Sequence, residues 1–92
     1  MRFELKWWKL RCEEPIYVLR YRSDDLIKTI STINPVLEYY TERIIGWTVG
    51  YPLKKTKASI QIASSRFETL NEAKRFGLKK SEEFLERYGE II

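Results

Sequence analysis

Ser23-Asp24-Asp25-Leu26-Ile27-Lys28-Thr29-Ile30-Ser31-Thr32-Ile33-Asn34-Pro35 is the stretch on which the reading of this chain turns. Ser23 suits a helix N-cap, because its hydroxyl can accept a bond from an otherwise unpaired first-turn amide. Asp24 and Asp25 follow where the positive end of a helix dipole favours anions. Leu26, Ile27, Ile30 and Ile33 recur at intervals of three and four, and Asn34-Pro35 stops the pattern. The spacing predicts a helix ending at Asn34. Residues 35–42 admit two readings. Val36-Leu37-Glu38-Tyr39-Tyr40 suits a strand, the reading we favour, while Asn34-Pro35 could also cap and open a short second helix.

Outward from this segment the pattern has period two. Phe3, Leu5 and Trp7 alternate with Arg2, Glu4, Lys6 and Trp8, as in a half-buried strand. Cys12-Glu13-Glu14-Pro15 interrupts, and Tyr17, Leu19 and Tyr21 then alternate with Ile16, Val18, Arg20 and Arg22. Together they predict an antiparallel hairpin. On the other side, Ile45, Trp47, Val49 and Tyr51 alternate with Ile44, Gly46, Thr48 and Gly50. A loop from Pro52 to Thr56 leads to Ala58, Ile60 and Ile62 against Ser59, Gln61 and Ala63, a second hairpin with a Lys-rich tip.

Thr69 and Glu72 have the spacing of a capping box, and Leu70, Ala73, Gly77, Ser81, Phe84 and Tyr88 form one helical stripe. Gly77 lowers helix propensity by about 1 kcal/mol relative to Ala, which implies close approach to a large side chain such as Trp47. Gly89 ends the helix. The expected fold is α+β: a small antiparallel sheet of four or five strands in two hairpins, two helices packed on one face, in the order ββα(β)ββα.

Ninety-two residues predict one domain spanning 1–92. A single cysteine, Cys12, forms no internal disulfide. No run resembles a secretory signal or a membrane span, so the expected setting is intracellular and cytoplasmic. No His is present to act as general base, to pair with Cys12 as a nucleophile, or to ligate a metal. Asp24-Asp25 reads as helix capping and Glu13-Glu14 as a solvated turn, so neither pair reads as catalytic carboxylates. The chain has no Gly-rich phosphate loop. The expectation is a protein that is not an enzyme and uses no metal or cofactor.

Charge is distributed unevenly. Residues 1–22 hold Arg2, Lys6, Lys9, Arg11, Arg20 and Arg22 against Glu4, Glu13 and Glu14. Residues 43–66 hold Arg43, Lys54, Lys55, Lys57 and Arg66 with no acid, within a net charge of +4 for the chain. Such a basic sheet attracts polyanions without specifying them. Arg2, Lys6 and Trp8 share a parity; Arg20 and Arg22 continue that face; Lys54, Lys55 and Lys57 crown the second hairpin. Phosphate contacts from the cations and base stacking on Trp8 would make these eight residues a nucleic-acid site. Ordinary solubilising charge that blunts edge strands is the competing account.

Gly46-Trp47-Thr48-Val49 followed by Phe67-Glu68-Thr69-Leu70-Asn71-Glu72-Ala73 loosely resembles the N-terminal DNA-binding domains of phage-type integrases. It likewise resembles the hybrid-binding domains attached to some ribonucleases H. The likeness spans about a third of the chain and rests largely on a capping signature open to any hairpin–helix unit, so it assigns no family.

The functional expectation is a small module binding nucleic acid through its phosphate backbone. The alternative is a protein–protein module, of the viral or plasmid kind, that inhibits or adapts a host protein or ribonucleoprotein complex; its Tyr, Trp and Arg content suits an interface. A membrane surface is not an expected partner, because the apolar stripe of the last helix is needed for the core. An uncovered edge strand leaves a homodimer open.

Overall fold

A computed structural model describes residues 4–89; Arg2 and Phe3 lie outside the described residues. Five strands, β1 (Glu4–Lys9), β2 (Tyr17–Ser23), β3 (Leu26–Leu37), β4 (Ile44–Lys55) and β5 (Ile60–Phe67), precede one helix, α1 (Leu70–Tyr88). The strands pair in sequence order, each antiparallel to the next.

This corrects the expected order ββα(β)ββα with two helices. The predicted first helix is the N-terminal part of β3. Ser23, Asp24 and Asp25 do not cap a helix; Ser23 pairs with Leu26 across a two-residue turn, and Asp24 takes φ 47. Two-residue hairpin turns require positive φ, which Asp tolerates better than most residues. The helical spacing has a physical origin in the strand itself. Register shifts between Leu19 and Arg20, so Leu19 pairs with Ser31 while Arg20 pairs with Thr29, leaving Ile30 as an extra residue. A bulge of this kind breaks strict alternation. Ile30 and Ile33 both join the core on the helix side, three residues apart, as helix residues would. The segment's β-branched content, Ile27, Thr29, Ile30, Thr32 and Ile33, favours the extended form.

The strand reading of residues 35–42 holds as far as Leu37, where the β3–β4 turn begins. Pro35 lies beyond the last β2–β3 pair, Tyr17↔Ile33, where β3 has β4 alone beside it. Proline, lacking a ladder donor, is tolerated at such an edge position.

The helix covers one face of the sheet. Its start is capped by Thr69, whose Oγ1 accepts from the Glu72 amide at 3.3 Å and donates to Glu72 Oε1 at 2.8 Å. Gly89 ends it with φ 78, a left-handed conformation that costs glycine little, and donates to the Leu85 carbonyl at 2.7 Å. Leu19, Tyr21, Ile30, Phe84 and Leu85 make one buried cluster, and Ile33, Val49 and Ala73 make another. Trp7 packs against both. Full burial of a large apolar side chain contributes about 1.5–3 kcal/mol, and Trp7, partly buried between the clusters, gains a share of that.

At Gly77 the helix comes close to the sheet. A Cβ there would lie 2.9 Å from Trp7 Cζ2 and 3.1 Å from Ser31 Oγ. The large side chain behind Gly77 is thus Trp7 rather than Trp47. The two hydroxyls trapped at this contact are satisfied: Ser31 donates to the Gly50 carbonyl at 2.6 Å and Ser81 to the Gly77 carbonyl at 2.7 Å.

Candidate functional site

One face of the sheet meets α1; among the described residues the other has no helix upon it. Alternation on β1 and β2 sends Leu5, Trp7, Tyr17, Leu19 and Tyr21 to the helix side and Lys6, Trp8, Arg20 and Arg22 to the open side. The register then stacks them in rows. Lys6 stands directly opposite Arg20, Glu4 opposite Arg22, and Trp8 opposite Val18. The next strand extends the rows, with Thr29 beside Arg20 and Ile27 beside Arg22.

Glu4, Lys6, Trp8, Arg20, Arg22 and Ile27 line a shallow groove of about 290 Å³. That is near the lower limit for ligand sites, roughly 300–1,000 Å³. Trp8 is 45% exposed and Ile27 60% exposed, so two large apolar side chains stand open to solvent in the groove. Lys6 Nζ lies 5.1 Å from the Trp8 ring centre and Arg20 Cζ 5.2 Å from it. Each contact contributes about 0.5–1 kcal/mol at an exposed position and holds a cation at the ring.

These cations are not neutralised locally. Among the described residues the ion pair that forms is Lys80–Glu83, at 3.5 Å on the helix. Glu4, although opposite Arg22 in the ladder, is not within ion-pair distance of it. Further along the open face sits another cation. A Cβ on Gly46 would meet Arg66 Nε at 3.0 Å and Nη2 at 3.4 Å, so the exposed Arg66 guanidinium lies over the space that glycine leaves.

The sequence-predicted residues therefore separate into three groups. Lys6, Trp8, Arg20 and Arg22 converge on the groove. Lys54 and Lys55 end β4 and Lys57 lies in the turn to β5, the opposite edge strand. β1 and β4 are three strand spacings apart, about 14 Å. Arg2 lies outside the described residues. Two residues of the open face escaped the sequence reading. Ile27 was hidden by the helical assignment, and Arg66 had its signal in Gly46, whose partner is visible only once Thr48 pairs with Arg66.

A different pair of aromatics marks the β3–β4 turn. Tyr39 and Tyr40 are 88% and 90% exposed and meet edge to face with ring centres 4.8 Å apart. Nearby, Glu13, Glu14, Pro15, Leu37, Glu42 and Ile44 line an acidic hollow. Among the described residues no cluster of His, Cys, Asp or Glu could hold a metal ion, and no helix is long and apolar enough to cross a membrane.

Comparison of the chain with protein-family models, with curated proteins and with solved structures finds no match.

Proposed function

We propose that this protein is a binding module without catalytic activity that holds nucleic acid against the open face of its sheet. The observation that carries the reading is a groove shared by Lys6, Arg20, Arg22 and an exposed tryptophan, with Lys6 and Arg20 over its ring and no carboxylate ion-paired to these three cations among the described residues. Charge contrast between the two layers supports it. The open face bears Lys6, Arg20, Arg22 and Arg66 against Glu4. The helical layer balances Lys74, Arg75, Lys79, Lys80 and Arg87 against Glu68, Glu72, Glu82, Glu83 and Glu86. Lys9 and Lys28, opposite Tyr17 and Tyr21 in the ladders, take the helix side, so the excess of cations on the open face is modest; it attracts a polyanion without specifying one.

Contacts of this kind are made mainly to phosphates, which fix position but carry little sequence information. Binding is accordingly salt-sensitive and weakly selective. Lys54, Lys55 and Lys57 add peripheral phosphate contacts at the opposite edge rather than completing the groove. Titration of labelled nucleic acid at two salt concentrations tests this: affinity that falls steeply with salt is expected, and no affinity even at low salt would end the reading.

A protein–protein role rests on a separate observation, the exposed Tyr39–Tyr40 pair beside half-exposed Ile44 and Ile45. Tyrosines are frequent interface anchors. Retention of a partner after nuclease treatment, lost on Tyr39→Ser plus Tyr40→Ser, would favour it.

A further inference from the structure

The open face says more about its ligand than its charge. Lys6 and Arg20, an opposed pair, both stem from the Glu4–Arg22 side of Trp8, and the indole remains nearly half exposed with both cations in place. A stacked base needs a free aromatic face and must itself be unstacked from its neighbours; bases inside a duplex are covered above and below. An exposed indole with two cations gathered from one side of it suits unpaired nucleotides.

The row of residues running from Trp8 across the sheet agrees. Register places Val18 beside Trp8, Thr32 beside Val18, Gly50 beside Thr32 and Ser64 beside Gly50, one residue from each strand. Every member after Trp8 is small or short, and Gly50 carries no side chain. Thr32 Oγ1 lies 3.1 Å from where a Gly50 Cβ would be, offering a hydroxyl along the row. The neighbouring row, Asn34, Thr48 and Arg66, ends in the guanidinium laid over Gly46. The row spans four strand spacings, about 19 Å. It is walled by an indole and two cations at the β1 edge and by Arg66 at the β5 edge.

We propose that the ligand of this face is single-stranded nucleic acid lying across the strands, with one base stacked on Trp8 and the backbone passing over Val18, Thr32 and Gly50 to Arg66. The proposal rests on the nucleic-acid reading above and narrows it to unpaired nucleotides. A span of this width accommodates a few nucleotides, the low end of the roughly 4–16 held by small sheet-based modules.

The test compares four ligands of about 16 nucleotides, oligo-dT, oligo-U and two mixed-sequence duplexes, one DNA and one RNA. Fluorescence anisotropy is measured at two salt concentrations with the intact chain and with Trp8→Tyr, Trp8→Leu and Arg66→Ala. Single strands of either sugar are expected to bind at least about 10-fold more tightly than the duplexes. Trp8→Leu should weaken single-strand binding about 5- to 150-fold while barely affecting the duplexes, and Trp8→Tyr, which keeps a ring, should retain most of it. Arg66→Ala should weaken single strands and lower the salt slope by about 0.7, the value for one phosphate contact. Circular dichroism of each variant checks that the fold is intact. Duplex binding as tight as single-strand binding, or Trp8→Leu without effect, overturns the proposal and leaves the nucleic-acid reading standing. No binding to any of the four at low salt overturns both.

Discussion

Gly77→Ala pits two opposed terms against each other at a contact that holds the two layers together. In an unobstructed helix the change stabilises by about 1 kcal/mol, because alanine loses less backbone freedom on folding. Here the new methyl would sit 2.9 Å from Trp7 Cζ2, 3.0 Å from Trp7 Cη2 and 3.1 Å from Ser31 Oγ. The indole is rigid and wedged against both core clusters, and Ser31 is tied to the Gly50 carbonyl, so neither neighbour yields freely. Overpacking of this sort costs about 1–3 kcal/mol. The net expectation is a loss of about 0–2 kcal/mol, or up to about 16 °C in Tm at roughly 4–8 °C per kcal/mol for a domain of this size.

Thermal and urea unfolding followed by circular dichroism measure the change. Trp7→Phe supplies the decisive comparison, since it removes the part of the ring that the methyl strikes. It also removes an indole Nε1–H that is buried without a partner among the described residues. Gly77→Ala in the Trp7→Phe background should cost less than in the native chain, with a coupling of about 0.5–3 kcal/mol. A rise in Tm for Gly77→Ala alone, or strict additivity with Trp7→Phe, would refute the reasoning that Trp7 and Gly77 are in contact.

Two further perturbations test the elements individually. Thr69→Ala removes the helix cap and should lower stability by about 0.5–2 kcal/mol in urea unfolding, with Thr69→Ser largely preserving it. At the β2–β3 turn, Asp24→Val places a β-branched residue at φ 47 and should cost at least about 1–2 kcal/mol, whereas Asp24→Gly should be neutral or slightly stabilising. Were residues 23–34 helical, Asp24→Gly would instead destabilise.

What the chain discloses before folding depends on whether a local rule survives its tertiary partners. β1 and β2 read correctly because strict alternation places Leu5, Trp7, Leu19 and Tyr21 on one face, and their register contains no irregularity. The Thr69 cap and the glycine stop at Gly89 read correctly because both are settled within one turn of helix. Residues 23–35 misled because a bulge at Ile30 sets apolar residues at the spacing of a helix, and the bulge is defined only against β2. β5 failed similarly: Ile62 shares the parity of inward residues in the sequence, yet it is 65% exposed on the open side near Gly50. At the candidate site, Lys6, Trp8, Arg20 and Arg22 were legible as one polar parity. Arg66 and Ile27 were not, since their neighbours Gly46 and Arg22 are set by strand pairing.

The central claim is that Lys6, Arg20 and Arg22 act as one phosphate-binding surface, and the salt dependence of binding measures it most directly. For single strands, log K falls with log salt by about 0.7 per phosphate neutralised. The triple variant Lys6→Ala, Arg20→Ala, Arg22→Ala should bind more weakly, with its slope shallower by about 2, while Lys54→Ala, Lys55→Ala, Lys57→Ala changes the slope less. An unchanged slope in the first triple variant, its fold intact by circular dichroism, would contradict the account.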